Sequence, residues 1–181
     1  MNKSQLRKIT DKIPGGLSSN EAWQLFEHAK IVPADMAIVE IGSWQGKSTI
    51  ALALGSVAGN SATVYAIDPH TGSPDHHAHG KFDNTFETFT RNIKEAGVSE
   101  VVTPLLKTGE EVATDWNKKT ALVFIDAQYH DEKLTRELAL RWIGILGNDG
   151  VLLLHNTVPS IGGILEGHPL RGCEPVIRFM Q

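Results

Sequence analysis

A chain of 181 residues, 41% of them hydrophobic, is long enough for one domain with a substantial core and too short for two large ones. Its formal charge of −4 gives no basic footprint for nucleic acid, and its single cysteine, Cys173, excludes an internal disulfide framework and fits a reducing compartment. Met1 to Lys8 carries charge with no apolar run behind it, and no stretch approaches the roughly 20 apolar residues of a membrane span. A soluble cytoplasmic protein is expected, with neither nucleic acid nor a membrane as partner.

After a polar start, residues 20 to 30 set Ala22, Trp23, Phe26 and Ala29 on one helical face, with Asn20 as cap and Pro33 beyond the end. Residues 1–36 are expected to form an N-terminal helical segment ahead of a domain over 37–181. Ala37 to Ile41 reads as a buried strand, followed by a glycine turn and a helix over Ser48 to Leu54. Ala62 to Ile67 is a second strand, stopping at Asp68. Phe82, Phe86, Phe89 and Ile93 share a stripe in a helix over 82–96, with Gly97 as its stop. Val101 to Leu106 reads as strand three, Glu110 to Trp116 as a short helix, and Ala121 to Ile125 as strand four. Leu134, Leu138, Trp142 and Ile145 pattern a helix over 131–146, Gly147 to Gly150 turns the chain, and Val151 to Leu154 is strand five. The last residues, Arg178 to Gln181, read as the opening of another helix. Strands alternating with helices predict an α/β fold with a doubly wound, mainly parallel sheet covered on both faces.

The run Ile38-Val-Glu-Ile-Gly-Ser-Trp-Gln-Gly-Lys-Ser-Thr49 breaks a strand into a turn that opens a helix, an arrangement that presents free N–H groups to a ligand. The dinucleotide fingerprint needs a second glycine where Trp44 stands, which disfavours NAD. The phosphate loop fits at Gly46-Lys47-Ser48 but needs its first glycine at the position of Ile41. An acidic residue closing the strand, Glu40, followed by G-x-x-x-G, is the pattern that remains.

In a doubly wound sheet the ligand sits outside the carboxyl ends of the strands. This chain ends its strands with Glu40 and Gly42, with Asp68, with Asp126, and with His155 and Asn156, while Gly109 and Glu110 follow strand three. Asp68, closing the strand after the glycine turn, can accept hydrogen bonds from both hydroxyls of a ribose. Of the eight histidines, His70, His76, His77 and His79 lie in the polar loop from Asp68 to Gly80. That cluster reads either as metal ligands or an acceptor-binding lid, or as a histidine-rich surface loop.

Beyond these patterns, the segments Ile13-Pro-Gly-Gly-Leu-Ser18, Glu40 to Thr49, Ile67-Asp-Pro-His-Thr-Gly-Ser-Pro-Asp-His76, Phe124-Ile-Asp-Ala-Gln-Tyr-His130 and Leu154-His-Asn-Thr157 resemble successive blocks of the methyltransferase 24 family. This is a group of class I S-adenosylmethionine (SAM) dependent methyltransferases that includes cephalosporin- and macrolide-tailoring relatives. The resemblance implies a Rossmann-like sheet, SAM as methyl donor, and a small-molecule acceptor such as a sugar or secondary metabolite. Carried over by position, Glu40, Gly42, Ser43 and Gly46 would line the methionine side, Asp68 the ribose, Gly109 and Glu110 the adenine region, and Asp126 the wall facing the transferred methyl.

Three departures from the family pattern matter. Members commonly show Asp-Gly-Asp-His after strand four, where this chain has Asp126-Ala-Gln-Tyr-His130. Metal-dependent relatives use an acidic pair or Asp-Asn after strand five, where this chain has His155-Asn156. Asp126, His155 and Asn156 could form a divalent metal site, but imidazole in place of a carboxylate weakens the case for magnesium. Class I folds finish with two further strands, so the C-terminal strands are expected to be missing or abbreviated. The implied reaction is O-methylation of a hydroxyl, with His130 the first candidate base and His155 the second. Two other readings are a phosphate-loop nucleotide hydrolase, with Lys47 on the phosphates, and a SAM-fold subunit that binds without turnover. Homo-oligomerisation is left open.

Overall fold

The computed structural model describes residues 1–72, 84–127, 131–155 and 176–180. Six parallel strands, β1 (Ala37–Ile41), β2 (Val64–Ile67), β3 (Val102–Leu105), β4 (Thr120–Ile125), β5 (Leu146–His155) and β6 (Val176–Met180), form one sheet in the order β3-β2-β1-β4-β5-β6. The chain runs outward from β1 to β3 and then returns to lay β4 on the other side of β1. That reversal opens a crevice above the carboxyl ends of β1 and β4.

The helices are α1 (Lys3–Thr10), α2 (Ser19–Lys30), α3 (Lys47–Ala58), α4 (Phe86–Glu95), α5 (Gly109–Thr114) and α6 (Glu132–Ile143). Alternation along each strand decides which face a side chain joins. Ile38, Leu122, Phe124 and Leu153 share a core with Leu6, Leu25, Phe26, Ile50 and Phe89 of α1 to α4. Val39, Ile41, Val123, Ile125, Leu152 and Leu154 pack on the opposite face with Val112, Leu138 and Trp142 of α5 and α6. The N-terminal helices therefore sit on the same core as the sheet. The α2–α3 contact depends on Gly55, where a Cβ would lie 2.8 Å from the Cα of Phe26.

Several elements differ from the sequence reading. α1 lies within the helical segment expected over 1–36 but was not singled out there; its capping box, in which Asn2 and Gln5 bond each other's backbone, starts a helix whose buried residues are only Leu6 and Thr10. Ser18, not Asn20, caps α2, because Glu21 three residues on returns to the Ser18 N–H. β5 begins at Leu146, and its register on β4 jumps from Thr120↔Leu146 to Leu122↔Val151, so the expected turn at 147–150 bulges out within the strand. The terminal segment is strand β6, not the opening of a helix: five residues carry no helical period, and pairing with β5 supplies the backbone partners.

At the other edge, β3 follows a 3₁₀ turn over Ser99–Val101, and the N–H of Val102 bonds back to the carbonyl of Ser99. Pro104 lies within β3, in register with Ala66 of β2. No helix among the described residues is long and apolar enough to cross a membrane.

Candidate active site

The glycine turn is held by the ends of its neighbouring strands. The ladder closes with Gly42 N–H on the Ile67 carbonyl (2.9 Å), Asp126 N–H on the Ile41 carbonyl (2.9 Å) and Asp68 N–H on the Leu105 carbonyl (3.1 Å). Gly42 has φ +92°, and a Cβ there would lie 2.8 Å from the carbonyl carbon of Asp126. Only glycine lets β1 bend this close to the end of β4. Past the bend, Trp44 takes φ 43° and its N–H donates to Asp68 Oδ2 at 2.8 Å. The N–H of His70, at φ 55°, donates to Asp68 Oδ1 at 2.6 Å. Asp68 thus ties the turn after β1 to the turn after β2, with one lone pair left on each oxygen.

Glu40 lies beneath this turn. It is fully buried, its Oε2 accepts a hydrogen bond from Thr49 Oγ1, and among the described residues its Oε1 has no hydrogen-bond partner. Loss of hydration pushes its pKa from 4.5 up to about 7, the hydroxyls of Ser48, Thr49 and Ser43 pulling the other way and the charge of Asp126 adding to the rise. Gly46, at φ +89°, starts α3 and packs under Phe89 and Ile93, where a Cβ would come within 3.2 Å of the Phe89 ring.

At the end of β5, His155 is buried between two carboxylates. Nδ1 lies 2.8 Å from Asp126 Oδ1, and Nε2 lies 3.2 Å from Glu21 Oε1. Burial alone would lower the ring's pKa, but the hydrogen bond and charge of Asp126, with the charge and hydrogen bond of Glu21, overcome it and hold the ring above its usual value. The geometry is that of an imidazolium donating from both nitrogens. His70 is also buried, with Nδ1 2.9 Å from Thr85 Oγ1 and its ring against Phe86 and Phe89. Burial lowers its pKa, against the opposing charge of Asp68.

Above these groups opens a cavity of about 610 Å³, in the range of small-molecule sites. Of the expected site residues, Gly42, Ser43, Asp68, Gly109, Glu110, Asp126 and His155 line it. Glu40 and Gly46 do not; they sit one layer below. His130 and Asn156 lie outside the described residues, as do His76, His77 and His79. Among the described residues, no group of three His, Cys, Asp or Glu side chains could hold a metal ion. The block Ile13 to Ser18, which carries part of the resemblance but was given no site residue, supplies a wall of Pro14, Gly15, Gly16 and Leu17, which Lys47 steadies by donating from Nζ to the Gly15 carbonyl at 3.1 Å. The sequence reading missed Glu21, whose S-x-x-E spacing from Ser18 marks a helix start and nothing more.

The phosphate-loop alternative fits this geometry poorly. The Trp44 N–H that a phosphate would need is taken by Asp68, Lys47 turns to Gly15, and Asp126 faces the same space.

Residues 39–157 match a family model described as a methyltransferase domain, the methyltransferase 24 family. Among solved structures, the cofactor-bound Rv0187 from MTB is 24% identical, with 92% of this chain and 70% of that one covered at a TM-score of 0.61. The O-methyltransferase TomG from Streptomyces achromogenes, involved in tomaymycin synthesis and solved with SAM, is 19% identical over 94% of this chain and 71% of its own, with a TM-score of 0.60. An O-methyltransferase from Bacillus cereus in complex with SAH is 19% identical over 93% and 71%, with a TM-score of 0.58. At these identities the likeness is one of fold.

Proposed function

The chain belongs to the methyltransferase 24 family of SAM-dependent methyltransferases, and from that premise we propose that it methylates a hydroxyl of a small-molecule acceptor. The observation that carries the reading is Asp68: a carboxylate on the cavity, oriented by two backbone N–H groups, beside a glycine bend that leaves the backbone bare. Asp68 is suited to the two ribose hydroxyls, Gly42 and Ser43 to the methionine side, and Gly109 and Glu110 to the adenine region. Glu40 and Gly46 serve from behind, shaping the turn. When bound, SAM supplies a methyl group already activated on a sulfonium.

The protein's task is then alignment, which can supply several kcal/mol of barrier lowering. The acceptor hydroxyl loses its proton as the new oxygen–carbon bond forms. Asp126, on the cavity wall and held by His155, is placed to accept a hydrogen bond from that hydroxyl. His155 itself, donating from both nitrogens, holds Asp126 in place of acting as the base. His130, four positions beyond Asp126, is our candidate base on sequence grounds.

Two O-methyltransferase structures among the similar folds support oxygen as the acceptor atom. The experiment is a screen of sugar and secondary-metabolite hydroxyls with SAM carrying a ¹³C methyl. A product labelled on oxygen is expected. Label appearing on nitrogen or carbon, or no SAM binding by calorimetry, would overturn the assignment.

A further inference from the structure

We propose that Glu21, carried by the N-terminal helix α2, is a positioning residue of this site: from the far side of the His155 ring it fixes where Asp126 stands on the cavity wall. The inference rests on the SAM-dependent reading above. Its basis is a chain of three groups spanning two parts of the fold, with Glu21 and His155 buried and Asp126 partly exposed on the cavity wall. Asp126 ends β4, His155 ends β5, and Glu21 belongs to the first turn of α2; the ring lies 2.8 Å from the first carboxylate and 3.2 Å from the second.

Glu21 and His155 are only 5% and 3% exposed, so solvent has little access to the contact between them. A buried ion pair becomes costly when one member is removed, because the other is left uncompensated. Among the described residues, the charged groups facing the ring are Asp126 and Glu21, and the apolar ring of Phe124 lies with its centroid 6.2 Å away. With Glu21 gone, no other charged group among the described residues faces the Nε2 side.

The second oxygen of Glu21 is also committed. Oε2 accepts the Ser18 N–H at 2.6 Å, which sets the start of α2 directly after the cavity wall at Pro14 to Leu17. One carboxylate therefore fastens the wall segment and, through His155, the side chain opposite the glycine bend. The position of Asp126 and the seating of the N-terminal segment are coupled.

The test uses Glu21→Gln in the full chain, which keeps the size and an oxygen for Ser18 while losing the charge that opposes the imidazolium. We expect the dissociation constant for SAM, by titration calorimetry, to rise about tenfold, within the usual range of coupling between contacting groups. In an Asp126→Asn background the same change should alter it less than about twofold, because the group being positioned is already lost. Nitrogen-15 spectra of labelled histidine at neutral pH should show His155 protonated on both nitrogens in the parent protein and on one in the variant.

Unchanged SAM affinity with a lower melting temperature, or equal losses in both backgrounds, would reduce Glu21 to a structural residue and overturn the proposal. If Glu21→Gln does not fold, Glu21→Asp, which keeps the charge but shortens its reach, enters the same cycle. A parent protein that binds no SAM sinks the functional reading separately. The spectra of the unliganded chain then decide the network: a singly protonated ring refutes it, and a doubly protonated ring neutralised by Glu21→Gln upholds it.

Discussion

Replacing Glu40 with glutamine should change how stability depends on pH while leaving the shape of the core intact. Glu40 has no exposed surface, and burial lifts its pKa from 4.5 to about 7. Its carboxyl therefore holds a proton more tightly in the folded chain than in the unfolded one. Below pH 4.5 both states are protonated and the fold carries no penalty. As pH rises from 4.5 toward 7, the unfolded chain releases its proton first, and stability falls; above about 7 the loss is complete. At about 1.4 kcal/mol per pH unit, that gap corresponds to roughly 3 kcal/mol.

His155 is also raised, so it too loses stabilisation as pH climbs through its folded pKa, but it is common to both proteins and cancels in their difference. Urea titrations followed by tryptophan fluorescence at pH 5 and pH 8 give that difference directly. Between those values the balance should move toward Glu40→Gln by about 2 to 3 kcal/mol. A difference that stays constant across the range would show that Glu40 is charged in the fold at all these pH values, and the argument from burial would fail.

Asp68→Ala removes the acceptor of two backbone N–H groups as well as the proposed ribose contact, and calorimetry should show SAM binding weakened by a hundredfold or more, about 3 kcal/mol. Gly42→Ala forces a side chain into the left-handed region and against the backbone of Asp126, and should lower unfolding free energy by about 2 to 4 kcal/mol in urea titrations. Lys47→Ala loses only an exposed bond to the Gly15 carbonyl, so SAM affinity should stay within about threefold and ATP should cause no thermal shift in either protein.

What could be read from the residues alone was whatever local pattern dictates. The apolar runs at 37–41 and 121–125 are strands because a parallel sheet buries both faces, and the polar residues that stop them fall at the crevice because strand ends face it. Asp68 was legible for that reason. Depth was not: Glu40 also ends a strand, yet its side chain is taken by Thr49 at the start of α3, and that pairing depends on how the turn folds back. His155 looked like a base or a ligand because the residue type permits both. Its second carboxylate comes from 134 positions earlier in the chain (155 − 21), a distance no spacing rule spans. α1 had no bounds within the expected helical segment, and β6 was read as a helix, because short segments draw their stability from docking, which leaves little periodic signal.

The edge strand β3 has a consequence for how copies of this chain can meet. Because the Leu105 carbonyl receives the Asp68 N–H, Leu105 and Thr103 address β2, and Val102 and Pro104 address the open side. Val102 has spent its N–H on Ser99, and proline has none to give. A stray strand arriving at that border would find carbonyl oxygens but no donors to zip against, so the sheet is guarded there against runaway extension.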